Sequence, residues 1–199
     1  VAGFALGMNT RGFDVARRRF QNAVQSVEGR QWIAVKNAAL FAEREIKLGL
    51  KKSAPGGVPL KPLSPITKLL RKGTKPLITP GASLFGSITT TLDKRNKAAF
   101  VGVHRTRRGA DGEDPVNIAI AHEFGTKPFV IAVTAKMRKL FLFLFIKTGG
   151  TIKPIGANKR TIIHPGVPKR PFIKPTVDAI RPQLQRIIVK AFIVGGGPI

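Results

Sequence analysis

The sequence predicts an α+β fold: a small antiparallel sheet packed by a long N-terminal helix and a C-terminal helix, with extended arms. Three observations predict it. Apolar residues recur at helical spacing through Val35, Ala38, Ala39, Ala42, Ile46 and Leu50, and again through Val177, Ile180, Leu184, Ile187, Ile188 and Ala191. Between these, Ser87 to Leu92 and Ala98 to Val103 alternate around the polar turn Asp93-Lys94-Arg95-Asn96-Lys97, the pattern of a hairpin. The connections are rich in proline and glycine and cannot be regular interior elements.

Taken in order, residues 1–12 are small and glycine-punctuated and read as an N-terminal arm. A single α+β domain is expected over 13–192 and a C-terminal tail over 193–199. Asp14 is a fair helix start, with Val15, Phe20, Val24 and Val27 on one face and Arg17, Arg18 and Arg19 on the others. Gly29 is where that helix would kink or break. Lys51 and Lys52 suit its far end, where cations meet the negative pole of the helix dipole. Residues 53–82 hold Pro55, Pro59, Pro62, Pro65, Pro76 and Pro80 and form a long loop inside the domain, with room for a helical turn near Thr67 to Lys72.

After the hairpin, 104–116 reads as an exposed polar loop. Asn117 to Phe124 has the spacing of a short helix, with a strand as the alternative. Phe129 to Val133 is a strand candidate. Thr134 can cap a helix from Ala135 to Lys147 that Gly149 and Gly150 end. Lys159 to His164 is a strand that completes the sheet. Pro165 to Pro175 is a proline-locked arm, because each proline fixes its own φ and biases the residue before it toward extended backbone. Phe172 is the arm's apolar anchor, and Arg170 beside it should be held by a carboxylate or by backbone carbonyls. Thr176 is expected to cap the last helix, with Pro182 inside it.

The charge is lopsided. Of 199 residues, 35 are basic and 10 acidic, a net charge of +25, while 43% are hydrophobic and suffice for a core. A chain this basic is expected to meet a polyanion or acidic protein surfaces. There is no cysteine, so neither a disulfide nor a thiolate metal site can form. No run is long enough to span a membrane, and no charged region followed by a long apolar segment suggests a signal peptide.

The chemistry-bearing residues do not converge. His122-Glu123 would need a second histidine four residues after the first to hold zinc in the manner of a metalloprotease, and Thr126 stands there. His122 therefore reads as structural. Ser83 lacks the Gly-x-Ser-x-Gly spacing of a nucleophile elbow, and no glycine cluster precedes a helix to cradle a phosphate. No catalytic, metal-binding or cofactor site is expected. Leu140 to Ile146 is apolar around the helix. Two readings stand for Phe141, Phe143 and Phe145: a core helix, or a helix with one side in the core and the other at a subunit interface. Aromatic residues do not interleave with the cations and there is no tyrosine, which disfavours a single-strand stacking platform.

Five short pieces, in order, resemble the virion-morphogenesis or tail-completion proteins of tailed bacteriophages. Leu60 to Thr67 is similar to that family's Leu-Ser-Pro-x-Thr loop. Lys75 to Ile88 is similar to its Pro-Leu-x-x-x-Gly-x-Leu-x-x-Ser-Ile hairpin entry, with an extra residue between Gly81 and Leu84. Ala119 to Gly125, which holds His122, Glu123, Phe124 and Gly125, resembles Ala-x-x-His-x-Phe-Gly. Val133 to Arg138 resembles an inserted Val-Thr-x-Lys-Met-Arg helix, and Val167 to Ile173 resembles Ile-Pro-x-Arg-Pro-Phe-Leu.

The resemblance implies a non-enzymatic structural virion protein, assembled in the host cytoplasm as a homo-oligomeric ring in the neck between head and tail. Its implied partners are further copies of itself, the adjacent head-connector and tail-terminator, sheath or tube proteins, and packaged DNA. Phe4, Leu6, Phe141, Phe143, Phe145, Arg170, Phe172 and Phe192 are then assembly candidates. Arg105, Arg107 and Arg108, on the loop after the hairpin, are the DNA-facing candidates. The alternative is a basic nucleic-acid-binding protein of a ribonucleoprotein or nucleoid.

Overall fold

In the computed structural model, residues 11–70, 75–78, 83–105 and 114–193 are described. The fold is α+β, with a long N-terminal helix, a C-terminal helix and two small antiparallel sheets. The chain divides into two compact units. One contains Val1–Ala42, Thr90–Val101 and Arg181–Ile199, and the other contains Glu43–Thr89 and Gly102–Ile180.

Helix α1 spans Arg11–Lys52, 42 residues, with Asp14 in its first turn and Lys51 and Lys52 in its last. It starts before the expected Asp14, and it runs unbroken through Gly29. A glycine inside a helix costs only about 1 kcal/mol against alanine, too little to break a helix flanked by Glu28, Arg30 and Gln31. From Phe13 to Gly29 every residue is exposed, so Val15, Phe20, Val24 and Val27 face solvent rather than a core.

In the first unit, α1 carries the hairpin of β1 (Ile88–Asp93) and β2 (Ala98–Val103). The Thr90 hydroxyl donates to the Ala39 carbonyl at 3.5 Å, and Lys97 pairs with Glu28 at 3.1 Å. Asp93 closes the turn by accepting the Asn96 backbone N–H at 3.1 Å and its side-chain amide at 2.7 Å. Arg30 donates to the carbonyl of Phe192. Among the described residues of this unit, the buried apolar ones are Ala34, Ala39, Ala42 and Ala191, all small.

The second unit holds the large buried side chains Ile46, Leu50, Leu63, Leu77, Leu84, Ile88, Leu144, Phe172 and Ile180. A 3-10 turn at Pro55–Gly57 and helix α2 (Pro65–Leu70) interrupt the proline-rich loop. Helix α3 (Ser83–Ser87) precedes the hairpin, and Ser87, expected to begin the strand, ends this helix instead. Its buried hydroxyl donates to the Leu84 carbonyl at 2.8 Å. Helix α4 is Pro115–Phe124, which excludes the strand alternative and starts the element two residues before Asn117. Asp114 is its N-cap and Pro115 occupies the first turn, where a missing N–H costs nothing.

The expected single sheet is two. Strand β3 (Phe129–Ala132) pairs antiparallel with β4 (Thr161–His164) in the register Phe129 to His164 through Ala132 to Thr161, separate from β1–β2. The bond from the Val133 N–H to the Arg160 carbonyl continues this ladder by one residue. Between them runs α5 (Ala135–Lys147), capped by the Thr134 hydroxyl, which accepts the Met137 N–H at 3.2 Å. Arg138 ties α5 to the following loop through the Gly156 and Lys159 carbonyls.

Helix α6 spans Ile173–Ile193 and contains Pro182. It starts before Thr176, whose hydroxyl does not cap it. That hydroxyl donates backward to the Phe172 carbonyl at 2.8 Å, one turn earlier. No helix among the described residues is long and apolar enough to cross a membrane.

Candidate functional site

The segment before α6 has no Ser, Thr, Asp or Asn in capping position, because Arg170-Pro171-Phe172 leads directly into the helix. The free N–H groups of its first turn still need an acceptor. Glu123 of α4 supplies it. One carboxylate oxygen accepts the N–H of Phe172 at 2.8 Å and of Ile173 at 3.1 Å, and the other accepts that of Lys174 at 2.9 Å. A carboxylate at the positive pole of a helix is favoured by charge as well as by hydrogen bonding.

The arm is fastened at three further points. The Arg170 N–H donates to the His122 carbonyl at 2.7 Å. The Arg170 guanidinium donates to the carbonyls of Lys61 and Pro62 at 2.8 and 2.9 Å, which fixes the proline-rich loop. The Thr126 N–H donates to the Val167 carbonyl, and the Val167 N–H donates to the Thr126 hydroxyl. Phe172 is 0% exposed and Arg170 7%. The arm thus behaves as the sequence suggests, with its phenylalanine in a pocket and its arginine on backbone carbonyls.

Two glycines permit the close approach. Gly125 ends α4 at φ 76, and a Cβ there would lie 2.9 Å from Lys169 Cγ. Gly166 has φ 88, and a Cβ would overlap the Thr126 carbonyl oxygen. Both need the left-handed region that glycine enters freely.

The two histidines of this region line one cleft with Leu63, Thr67 and Arg170. The His164 ring stacks on Phe129 at 4.7 Å, and its Nδ1 accepts the Gly166 N–H at 3.0 Å. Among the described residues, no group of three or more His, Cys, Asp or Glu side chains is placed to hold a metal ion. What this arrangement does is mechanical: it locks α4, the proline-rich loop and the start of α6 together.

The assembly candidates are scattered. Phe172 and Arg170 are buried within the protomer, so they can affect assembly only through the fold. Phe143 and Phe145 are exposed, Phe141 is half-buried, and Leu144 beside them is fully buried. Thus α5 has one side inward and the rest open. Phe124, at the end of the His122-Glu123 motif, is exposed and lines a groove with Val103, Ile120 and Val177. Phe192 is exposed. Phe4, Leu6, Arg107 and Arg108 lie outside the described residues. Arg105 is 76% exposed at its side chain and pairs with Asp114 at 3.1 Å.

The sequence reading missed the role of Glu123. The available signal was a helix start with no local cap beside a lone acid in an apolar segment. No family model, curated protein or solved structure matches the chain.

Proposed function

We propose that the chain is a structural, non-enzymatic subunit of a tailed-phage virion, assembled as a homo-oligomeric ring in the neck between head and tail. The observation that carries the oligomeric part is the composition of the first unit. Its buried apolar residues are alanines, while Phe13, Phe20, Val24, Val27, Phe100, Val189 and Ile193 are exposed. Apolar surface on this scale marks an interaction site, and a unit whose described residues bury only alanines among the apolar side chains gains little from that burial. Neighbouring copies would supply the missing cover.

The virion part rests on the resemblance of five sequence pieces. Two of them, the Ala119-to-Gly125 and Val167-to-Ile173 segments, are joined by the Glu123 cap and the His122–Arg170 backbone bond. A net charge of +25 suits a ring beside DNA or beside acidic neighbours, with Arg105 on the loop that would face the lumen.

The same charge, with Arg17, Arg18 and Arg19 exposed on α1, favours the second reading, a nucleic-acid-binding protein. Size-exclusion chromatography with light scattering, followed by electron microscopy of the purified particle, separates the two. Closed rings are expected for the neck protein. A monomer that shifts only on adding RNA would overturn it.

A further inference from the structure

Within the second unit, α5 and the β3–β4 sheet, consecutive in the chain, each leave an open apolar face. Val130 and Ile163 are register partners on one face of the sheet, and Ala132 and Thr161 share that face. All four are exposed, Ile163 at 77%. A strand pair that is apolar on both faces is built to be covered on both. On α5, Phe143 and Ile146 are exposed along one stripe. Lys136 and Lys139 lie on that same stripe at helical spacing, two turns and one turn before Phe143.

The charge of this stretch of chain has one sign. Between Glu123 and Asp178 there is no Asp or Glu, and every charged side chain is Lys or Arg. Lys136, Arg138 and Lys139 sit in the first turns of α5, at the positive pole of its dipole. Cations there are unfavourable in the protomer alone and favourable opposite carboxylates.

A second copy of the chain is a poor source of those carboxylates. Among the described acids, Glu28, Glu43, Glu45, Asp114 and Asp178 each face a lysine or arginine of their own chain, Glu123 is held by three amides and Asp93 by Asn96, which leaves Asp14.

We infer that the α5 and β3–β4 surface docks a different protein, one presenting carboxylates interleaved with apolar side chains. A bilayer is disfavoured because a membrane-surface helix segregates its cations from its apolar face, whereas Lys139 shares the stripe of Phe143 and Ile146. DNA is disfavoured because phosphates make no use of exposed isoleucine and phenylalanine. The inference stands on this surface alone and does not require the virion reading.

The test uses the full chain and a fluorescent helical peptide of alternating leucine and glutamate turns, read by anisotropy. Controls are the peptide with serine for leucine, the peptide with lysine for glutamate, phosphatidylglycerol vesicles and duplex DNA. The acidic apolar peptide should bind at least roughly tenfold more tightly than either peptide control, since charge and burial must both contribute. Phe143→Ser with Ile146→Ser should weaken it about tenfold or more, and so should Lys136→Glu with Lys139→Glu. Arg17→Ser, Arg18→Ser and Arg19→Ser together should leave it unchanged. All these residues are on the surface, and circular dichroism checks that each variant is folded. The inference is overturned if the serine peptide binds equally well, if the α5 variants bind as wild type, or if they lose vesicles or DNA instead. Concentration-dependent self-association abolished by Ile146→Ser would overturn it in favour of a second copy.

Discussion

The carboxylate of Glu123 accepts the backbone N–H of Phe172 at 2.8 Å, across a sequence separation of 49 residues. Through this bond and its two companions, the end of α4 sets where α6 begins. A helix start made by a remote acid depends on the tertiary fold, so its loss should be felt in both elements. Glu123→Ala should destabilise the protein by about 2–3 kcal/mol, the scale of charge-assisted bonds and a lost cap. Glu123→Gln keeps one acceptor and should cost about half as much. Urea denaturation measures both, and amide exchange should quicken first at Phe172, Ile173 and Lys174. Unchanged stability in the alanine variant would show that water caps the helix as well as Glu123 does.

Phe172 and Arg170 test the arm from its two sides. Phe172→Ala removes a fully buried ring and should cost about 3–5 kcal/mol. Arg170→Lys keeps the charge but not the planar fork that reaches the Lys61 and Pro62 carbonyls together, and should cost about 1–2 kcal/mol. Thermal melts of the two variants should rank in that order, and equal melting points would sink the assignment.

How far these elements were legible follows from where their determinants lie. The periodicities of α1 and α6, the capped run of α5 and the hairpin alternation are local, and each element forms, although α1 and α6 begin earlier than the pattern places them and Ser87 belongs to α3. The Thr134 cap is also local, three residues from the N–H it accepts. Thr176 misled because a hydroxyl near a helix start has two uses, and here it bonds backward to the Phe172 carbonyl. The pairing of β3 with β4 rather than with the hairpin is a choice among distant partners that alternation alone does not make. Helical spacing likewise shows that Phe20 and Val24 share a side of α1, not that anything covers it, and both are exposed.

Gly125 should tolerate no side chain. Gly125→Ala would place a Cβ against Lys169 at a φ of 76, and should cost about 1–3 kcal/mol. Lys169→Ala in the same background relieves the contact but not the backbone strain. The double variant should therefore recover only part of the loss, and a double-mutant cycle separates the two terms. Full recovery would mean that the backbone conformation contributes nothing.

Asp93 gives the hairpin turn a pH dependence. Hydrogen bonds from the Asn96 backbone N–H and then from its side chain hold the Asp93 carboxyl below its ordinary value. A carboxyl lowered in the folded state contributes stability above its unfolded pKa, about 3.9, and that contribution is lost as pH falls through the depressed folded value. The Asn96 amide should exchange faster relative to the core in that acid range. Asp93→Asn should abolish the difference, and a pH-independent ratio in the wild type would contradict the turn geometry.

The last prediction concerns α1 between Phe13 and Gly29, exposed on every side in the single chain. A helical stretch of this length is marginal in water without a packed face. In dilute protomer its amides should therefore exchange far faster than those near Ile46, whose side chain is 1% exposed. In the proposed ring the same amides should become protected, since Phe13, Phe20, Val24 and Val27 would then be covered. Phe13→Ser with Phe20→Ser should shift protomer stability by no more than about 0.5 kcal/mol each, as surface substitutions do. The same pair should impair closure of the ring, read as a loss of the oligomer peak in light scattering. Hydrogen exchange by mass spectrometry on both species decides it. Protection of 13–29 already complete in the protomer, or ring closure unaffected by the double variant, would remove α1 from the interface.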